Sequence, residues 1–270
     1  MPVPSRITGL DWLGERVSYP DPAVKGDTYP LTWADDGCLY ASAGDPLWGA
    51  SVSGLDVERL VGRPPAYRIE KRHELPDYEG WGGAGPKPSG MLCVAGVLYL
   101  AVQNLCGNKP PVCGEASQHG SDATILMSRD HGASWTPGRN AAPLFPGAAF
   151  GGPAFVNVGR DHAGAPDAFV YAVSGDQWDN GSTLRVGRVP ADAIMQREAW
   201  AWVSGFRGDA PVWSDDLAQA VPVLRRNRAI SLPEMVYLAG LERYLLLTWR
   251  LHADFSPDHG TDLFVYEAPR

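Results

Sequence analysis

Short apolar runs alternate with tight turns along this chain, and the pattern recurs. The stretch from Gly26 to Asp45, GDTYPLTWADDGCLYASAGD, defines the unit. Leu31, Trp33 and Ala34 lead into Asp36-Gly37, a pair that favours a two-residue hairpin turn, and Leu39, Tyr40 and Ala41 lead out. With Asp36 and Gly37 as the turn, Thr28 is expected opposite Asp45, with Asp27 beside it.

Three later stretches repeat the grammar. KPSGMLCVAGVLYLAVQN (Lys87 to Asn104) turns at Ala95-Gly96, FGGPAFVNVGRDHAGAPDAFVYAVSGD (Phe150 to Asp176) turns through a longer Gly/Pro loop, and SLPEMVYLAGLERYLLLTW (Ser231 to Trp249) turns near Gly240. Aligned on the return strands, Tyr40, Tyr99, Tyr171 and Tyr244 recur at intervals of 59, 72 and 73. Repeats of this size built from short strands predict an all-β fold, a β-propeller in which each unit is one blade. Four hairpins are expected over a single domain, 1–270. A fifth blade is not evident in the repeats: either the lead-in Met1–Pro20 helps to close the ring, or a fifth blade is minimal or missing from this chain. Further strands are expected at Ala50–Leu55, at LRVGRVP and at Leu263–Tyr266. Val61–Gly85 reads as irregular, and only Asp56–Leu60 and Ala191–Glu198 read as briefly helical. The turns suit a composition of 31 Gly and 24 Pro, and 44% apolar residues suffice for a core.

Charge and composition remove several function classes. A net charge of −8 argues against nucleic acid, whose binders need a basic stripe. No apolar run of membrane-spanning length and no lipidation signal occur, so no membrane partner is expected. Residues 1–20 lack the charged-then-apolar layout of a signal peptide. Gly80 to Gly85 matches G-x-G-x-x-G, but Pro86-Lys87-Pro88 forbids the helix that would hold a phosphate. Cys38 and Cys93 read as core thiols, Cys106 and Cys113 flank a loop that a disulfide can span, and His119 beside them is too few ligands for zinc. His252, Asp254 and His259 resemble a metal cluster only loosely, and read more simply as a solvated loop. No metal and no cofactor is expected, and the chain reads as a monomer.

Ser128, Asp130, Gly132 and Trp135 match S-x-D-x-G-x-x-W, the Asp-box of sialidase-type blades, here in blade two. Asp130 is expected to accept turn N–H groups, Gly132 to take positive φ and Trp135 to pack between blades.

Equivalent hairpin ends in a propeller gather around the axis. The open ends supply Asp27, Asp45, Lys87, Asn104, Asp176 and Trp249, and adjoining loops add Trp48, Trp81, Trp178 and His252. Carboxylates for acid/base work beside indoles that stack on sugar faces suit a carbohydrate. Asp27 and Asp45 are the expected catalytic pair, with Asp176 a third carboxylate able to raise a neighbour's pKa. Lys87, Asn104, Trp48, Trp81, Trp178, Trp249 and His252 are expected to bind substrate. The alternative for each Asp is a turn cap, and for the whole chain a non-catalytic carbohydrate-binding propeller.

With TWADDGCLYASAGD, KPSGMLCVAGVLYL, SRDHGASW, FGGPAFVNVGRDHAGAPDAFVYAVSGD, LRVGRVPADAI and ERYLLLTW in view, the chain resembles a bacterial family of five-bladed, sialidase-like propellers of largely unknown function, some of whose relatives are endo-D-arabinanases. The resemblance implies glycosidase-like chemistry on a polysaccharide, with furanose residues among the options, and an acidic pair in the first hairpin that maps onto Asp27 and Asp45. It also implies an exported or periplasmic location, with a cytoplasmic one as the alternative; members usually run on past the EAP of Glu267–Pro269 into a further strand segment, and here this sequence departs from the pattern. The arginine pair or triad of a true sialidase is not evident, which argues against sialic acid.

Overall fold

The computed structural model describes residues 7–11, 26–44, 55–63, 66–75, 86–106, 119–137, 142–253 and 256–269. The chain is all-β there: sixteen strands, and no helical element beyond three 3-10 turns of three residues each. The strands form four antiparallel sheets in chain order. The first holds β1 (Leu31–Trp33), β2 (Leu39–Gly44), β3 (Leu55–Arg63) and β4 (Ala66–Leu75). The second holds β5 (Pro86–Val94), β6 (Val97–Cys106) and β7 (His119–Ser128). The third runs outward from β8 (Ala154–Phe155) through β9 (Phe169–Gly175), β10 (Gly181–Pro190) and β11 (Ala201–Arg207) to β12 (Ala210–Ser214), with β13 (Leu224–Ile230) also paired to β10. The fourth holds β14 (Glu234–Leu238), β15 (Arg243–Ala253) and β16 (Ser256–Pro269).

All four expected hairpins form, and each aligned tyrosine lies on a return strand: β2, β6, β9 and β15. The second turns at Ala95-Gly96, both with positive φ as a type I′ turn requires. The first departs by one residue. Leu31 pairs with Ala41 and Trp33 with Leu39, and Ala34 N donates to Cys38 O, so Asp35 joins Asp36 and Gly37 in a three-residue loop. Gly37 takes φ 83 there, the left-handed step that closes such loops. Further out the residue opposite Asp27 is Gly44, with N–H···O bonds of 2.8 Å in both directions, which differs from the register expected for this end of the hairpin.

Two other expectations fail in the first sheet. Asp56–Leu60 is strand, not helix, and the span read as irregular from Val61 contains the end of β3 and all of β4. The cause is a polar strand whose charges are compensated. Asp56 and Glu58 are both buried, and Lys71 on β4 reaches Asp56 at 3.0 Å. Ala191–Glu198 is turns, with a 3-10 turn at Arg197–Ala199. Of the expected third strand at Ala50–Leu55, Leu55 opens β3 and residues 50–54 lie outside the described residues.

The largest core packs between sheets two and three. Phe145, Phe150, Trp200 and Trp202 meet edge-to-face or tilted, with centroids 5.0–6.2 Å apart. A second core of Tyr40, Leu55, Val57, Met91, Leu98 and Leu100 joins sheets one and two. At the Ser128–Trp135 turn, Asp130 accepts from Ser134 N at 2.9 Å and from the hydroxyls of Ser134 and Ser128. These bonds, Ser134's first, hold its carboxyl down to about 2. Gly132 has φ 82, and Trp135 packs on the second core.

Candidate functional site

The first strands of the four sheets lie side by side. Gly90 on β5 approaches β8 so closely that a Cβ there would stand 2.7 Å from Pro153 O and 2.9 Å from Phe155 N. Beyond β8, Asn157 forms a parallel bridge to Val236 on β14. Where these strands converge they surround a funnel of about 130 Å³, lined by Thr28–Leu31, Pro88–Met91, Ala154-Phe155 and Leu232–Glu234. This volume is below the ~300 Å³ of a drug-sized pocket. Residues of all four sheets thus reach one cavity, most of them from the entering strands or the residues just before them.

The polar lining is amide, hydroxyl and one acid: Gln103, Asn157, Gln177, Ser89, Tyr29 and Glu234, with the Trp178 indole beside them. Glu234 is the one carboxylic acid among the described lining residues. Its surface reaches solvent along the concave wall, yet the surrounding protein displaces bulk water and burial raises its carboxyl above the ordinary range. Tyr29 is raised to about 12, first by burial and then by the negative charges of Glu58, Asp27 and Asp56. Behind it, Glu58 is pushed up to about 7 by burial and by Asp56, against Lys71.

Asp27 adjoins the lining residues Thr28 and Tyr29, and its Oδ1 accepts from Thr28 Oγ1 at 3.2 Å. Asp45, Trp48 and Trp81 lie outside the described residues, as do Cys113 and Asp254. Asp176 Oδ1 accepts from Ser182 N at 2.9 Å and Thr183 N at 3.1 Å, a turn-capping role that pins the loop carrying Gln177 and Trp178. Of the expected substrate-binding residues, Trp178 alone is in the lining among those described. Lys87 and Asn104 are buried and absent from it. Strand alternation explains Lys87, since its neighbour Pro88 takes the funnel face. Trp249 sits on β15 opposite Leu263, one strand out from the cavity. His252 is engaged along the β15–β16 pair, with Nε2 3.0 Å from Asp262 and Nδ1 3.1 Å from His259 O. Among the described residues no group of three His, Cys, Asp or Glu side chains could hold a metal.

Glu234, Tyr29, Gln103 and Gln177 were missed in the sequence. The signal was available one strand upstream of the tyrosines. Glu234 faces Leu247, three residues after Tyr244, and Pro88 faces Val102, three after Tyr99. A second cavity of about 270 Å³ lies between sheets three and four, lined by Val156, His162, Phe169, Tyr171, Met235 and Tyr244. Its walls are almost wholly apolar and hold no carboxylate, so it is unsuited to hydrolysis.

No protein-family model matches the chain. No curated protein matches it either. Among solved structures, it is similar to an α-L-arabinofuranosidase from Podospora anserina in complex with cellotriose, at 13% identity and TM-score 0.47 over 94% of this chain and 67% of that one. It is similar to an exo-1,5-α-L-arabinanase from a bovine ruminal metagenomic library, at 14% identity and TM-score 0.45 over 85% and 69%. A third is an enzyme of Xanthomonas citri complexed with xylotriose, at 16% identity and TM-score 0.45 over 81% and 64%. The chain thus spans about two thirds of the length of these structures.

Proposed function

We propose that the four sheets are blades of a β-propeller with the funnel on its axis, and that the protein is a glycoside hydrolase-like enzyme acting on a polysaccharide there. The observation that carries the reading is Glu234: a carboxyl in an open cavity beside an indole and three primary amides, its pKa raised by burial. Glycosidic cleavage needs an acid to protonate the leaving oxygen and a second carboxylate to activate water or attack carbon. Glu234 is assigned the acid. Asp27 is assigned the ionised partner, with Asp45 as the further rim acid that follows Gly44. Trp178 stacks on a sugar face, Gln103 and Gln177 bind hydroxyls, and Asp176 positions Trp178 through its hold on Ser182 and Thr183. An arabinan-type, furanose-containing polymer is the first substrate to test.

A non-catalytic carbohydrate-binding propeller is the second reading, favoured by the single acid among the described lining residues. Reducing-end release from a panel including D-arabinan, L-arabinan, xylan and polygalacturonan, with calorimetric binding alongside, separates the two. The hydrolase reading expects turnover that Glu234→Gln and Asp27→Asn abolish while binding persists. Binding by the parent protein without turnover on any member supports the second reading, and neither binding nor turnover rejects both.

A further inference from the structure

The sequence LRRNRAI forms an unusual edge. In the pairing of β13 with β10, Arg225 faces Thr183 and Ile230 faces Gly181, so the residues from Arg226 to Ala229 arch over Ser182. The arch is tied down: Arg228 N donates to Ser182 Oγ at 3.0 Å, and Arg228 takes φ 54 to make that bond. Arg225, Arg226, Asn227 and Arg228 are all exposed. Arg226 has the Tyr266 ring 6.0 Å away, and neither it nor Arg225 is in an ion pair among the described residues. Three arginines within four positions stand out on a chain of net charge −8.

Two short stretches of chain connect the arch to the funnel. Leu232 is four residues after Arg228, and Ser182 four after Trp178; Leu232 and Trp178 both line the cavity. Four residues reach at most about 14 Å. Asp176 fixes the β10 side of this corner through Ser182 and Thr183. A glycan with one ring in the funnel and its next units leaving along this corner would meet the arch.

We infer that the Arg225–Arg228 arch is a subsite for a negatively charged sugar unit, so that the polymer the protein takes is an anionic glycan; this rests on the funnel being a sugar site. Guanidinium groups match carboxylate and sulfate oxygens with paired donors. A nucleic acid needs a longer basic stripe and meets repulsion from the rest of this acidic chain.

Calorimetry on the full chain tests this with four probes: a galacturonic acid tetrasaccharide, a sulfated chondroitin tetrasaccharide, neutral arabinotetraose and a single-stranded oligonucleotide. An acidic tetrasaccharide is expected to bind more tightly than the neutral one, and less so as salt rises. Arg225→Gln/Arg226→Gln should weaken acidic binding about fivefold and leave neutral binding unchanged. Arg207→Gln, an exposed arginine on β11, should change neither. The stronger of the two acidic probes identifies the anion. Equal affinity for acidic and neutral chains, no effect of the double substitution, or tightest binding of the oligonucleotide would overturn the inference. Neutral binding that is lost in Trp178→Ala but indifferent to the arginines leaves the funnel standing and removes the arch. Acidic binding that depends on the arginines but not on Trp178 removes the funnel instead.

Discussion

Thr32 and Asn157 come from different sheets and share a hydrogen bond: Thr32 Oγ1 donates to Asn157 Oδ1 at 2.8 Å. The same threonine oxygen accepts Cys93 N from the second sheet at 2.9 Å, and Asn157 Nδ2 donates to Leu31 O and Met91 O. With the backbone bonds of Asn157 to Met235 and Tyr237, one asparagine side chain and its peptide join all four sheets around the funnel floor.

Asn157→Ala should therefore destabilise the fold by about 2 kcal/mol, since it strips several hydrogen bonds and orphans carbonyls and a hydroxyl that had partners. Urea unfolding checks this. A loss below about 0.5 kcal/mol would mean that the sheets are held by apolar packing alone.

Where β5 meets β8, backbone contacts backbone, and there is no room for a methyl group at Gly90. Gly90→Ala should cost about 1–3 kcal/mol through forced separation of the two strands. Thermal unfolding should show it. Gly205→Ala, where nothing lies within 4 Å, is the neutral control.

Glu58 makes stability depend on pH. Its carboxyl is raised from 4.5 to about 7 in the folded protein, so the native state holds a proton that the unfolded chain releases. The stabilisation is complete below about pH 4.5 and is lost as pH rises through about 7. Glu58→Gln should flatten that slope and leave the variant more stable at pH 8, by an amount on the order of 2 kcal/mol. Denaturant midpoints measured from pH 4 to 8 decide it. An unchanged slope would mean that Lys71 already neutralises the pair.

If Glu234 delivers the proton, turnover should fall as pH rises through its elevated pKa, because only the protonated form is active. Glu234→Gln should remove that limb and cut kcat by roughly 10²–10⁴-fold. Retained activity with an intact alkaline limb would move the acid elsewhere in the chain.

Much of this fold was legible. Asp-Gly and Ala-Gly turns, alternating apolar positions and the spaced tyrosines mark the hairpins because turn chemistry and strand period are local. The errors have local causes too. Asp35 could not be recognised as a loop residue from an Asp-Asp-Gly run that fits either turn length, and it moved the register by one; a second one-residue shift between Leu31 and Asp27, where Thr28 takes φ 48, brings Asp27 opposite Gly44. Asp56 and Glu58 hid a buried strand because the lysine that compensates them lies on the next strand. The site was half legible. Trp178, on the loop that Asp176 pins, lines the funnel, but Lys87, Trp249 and His252 were expected there by strand end without regard to which strand and which face. Glu234 went unseen because a single Glu after Leu-Pro has no local signature; it matters through the three other strands that surround it.

The most direct test of the sugar funnel is the indole ¹H–¹⁵N spectrum during titration with arabinotetraose and with the galacturonic acid tetrasaccharide. The Trp178 resonance, assigned by Trp178→Phe, should shift in a saturable way with at least one of them. The buried indoles of Trp200 and Trp202 should stay fixed. Saturable shifts confined to other indoles, with Trp178 unmoved, would contradict the account.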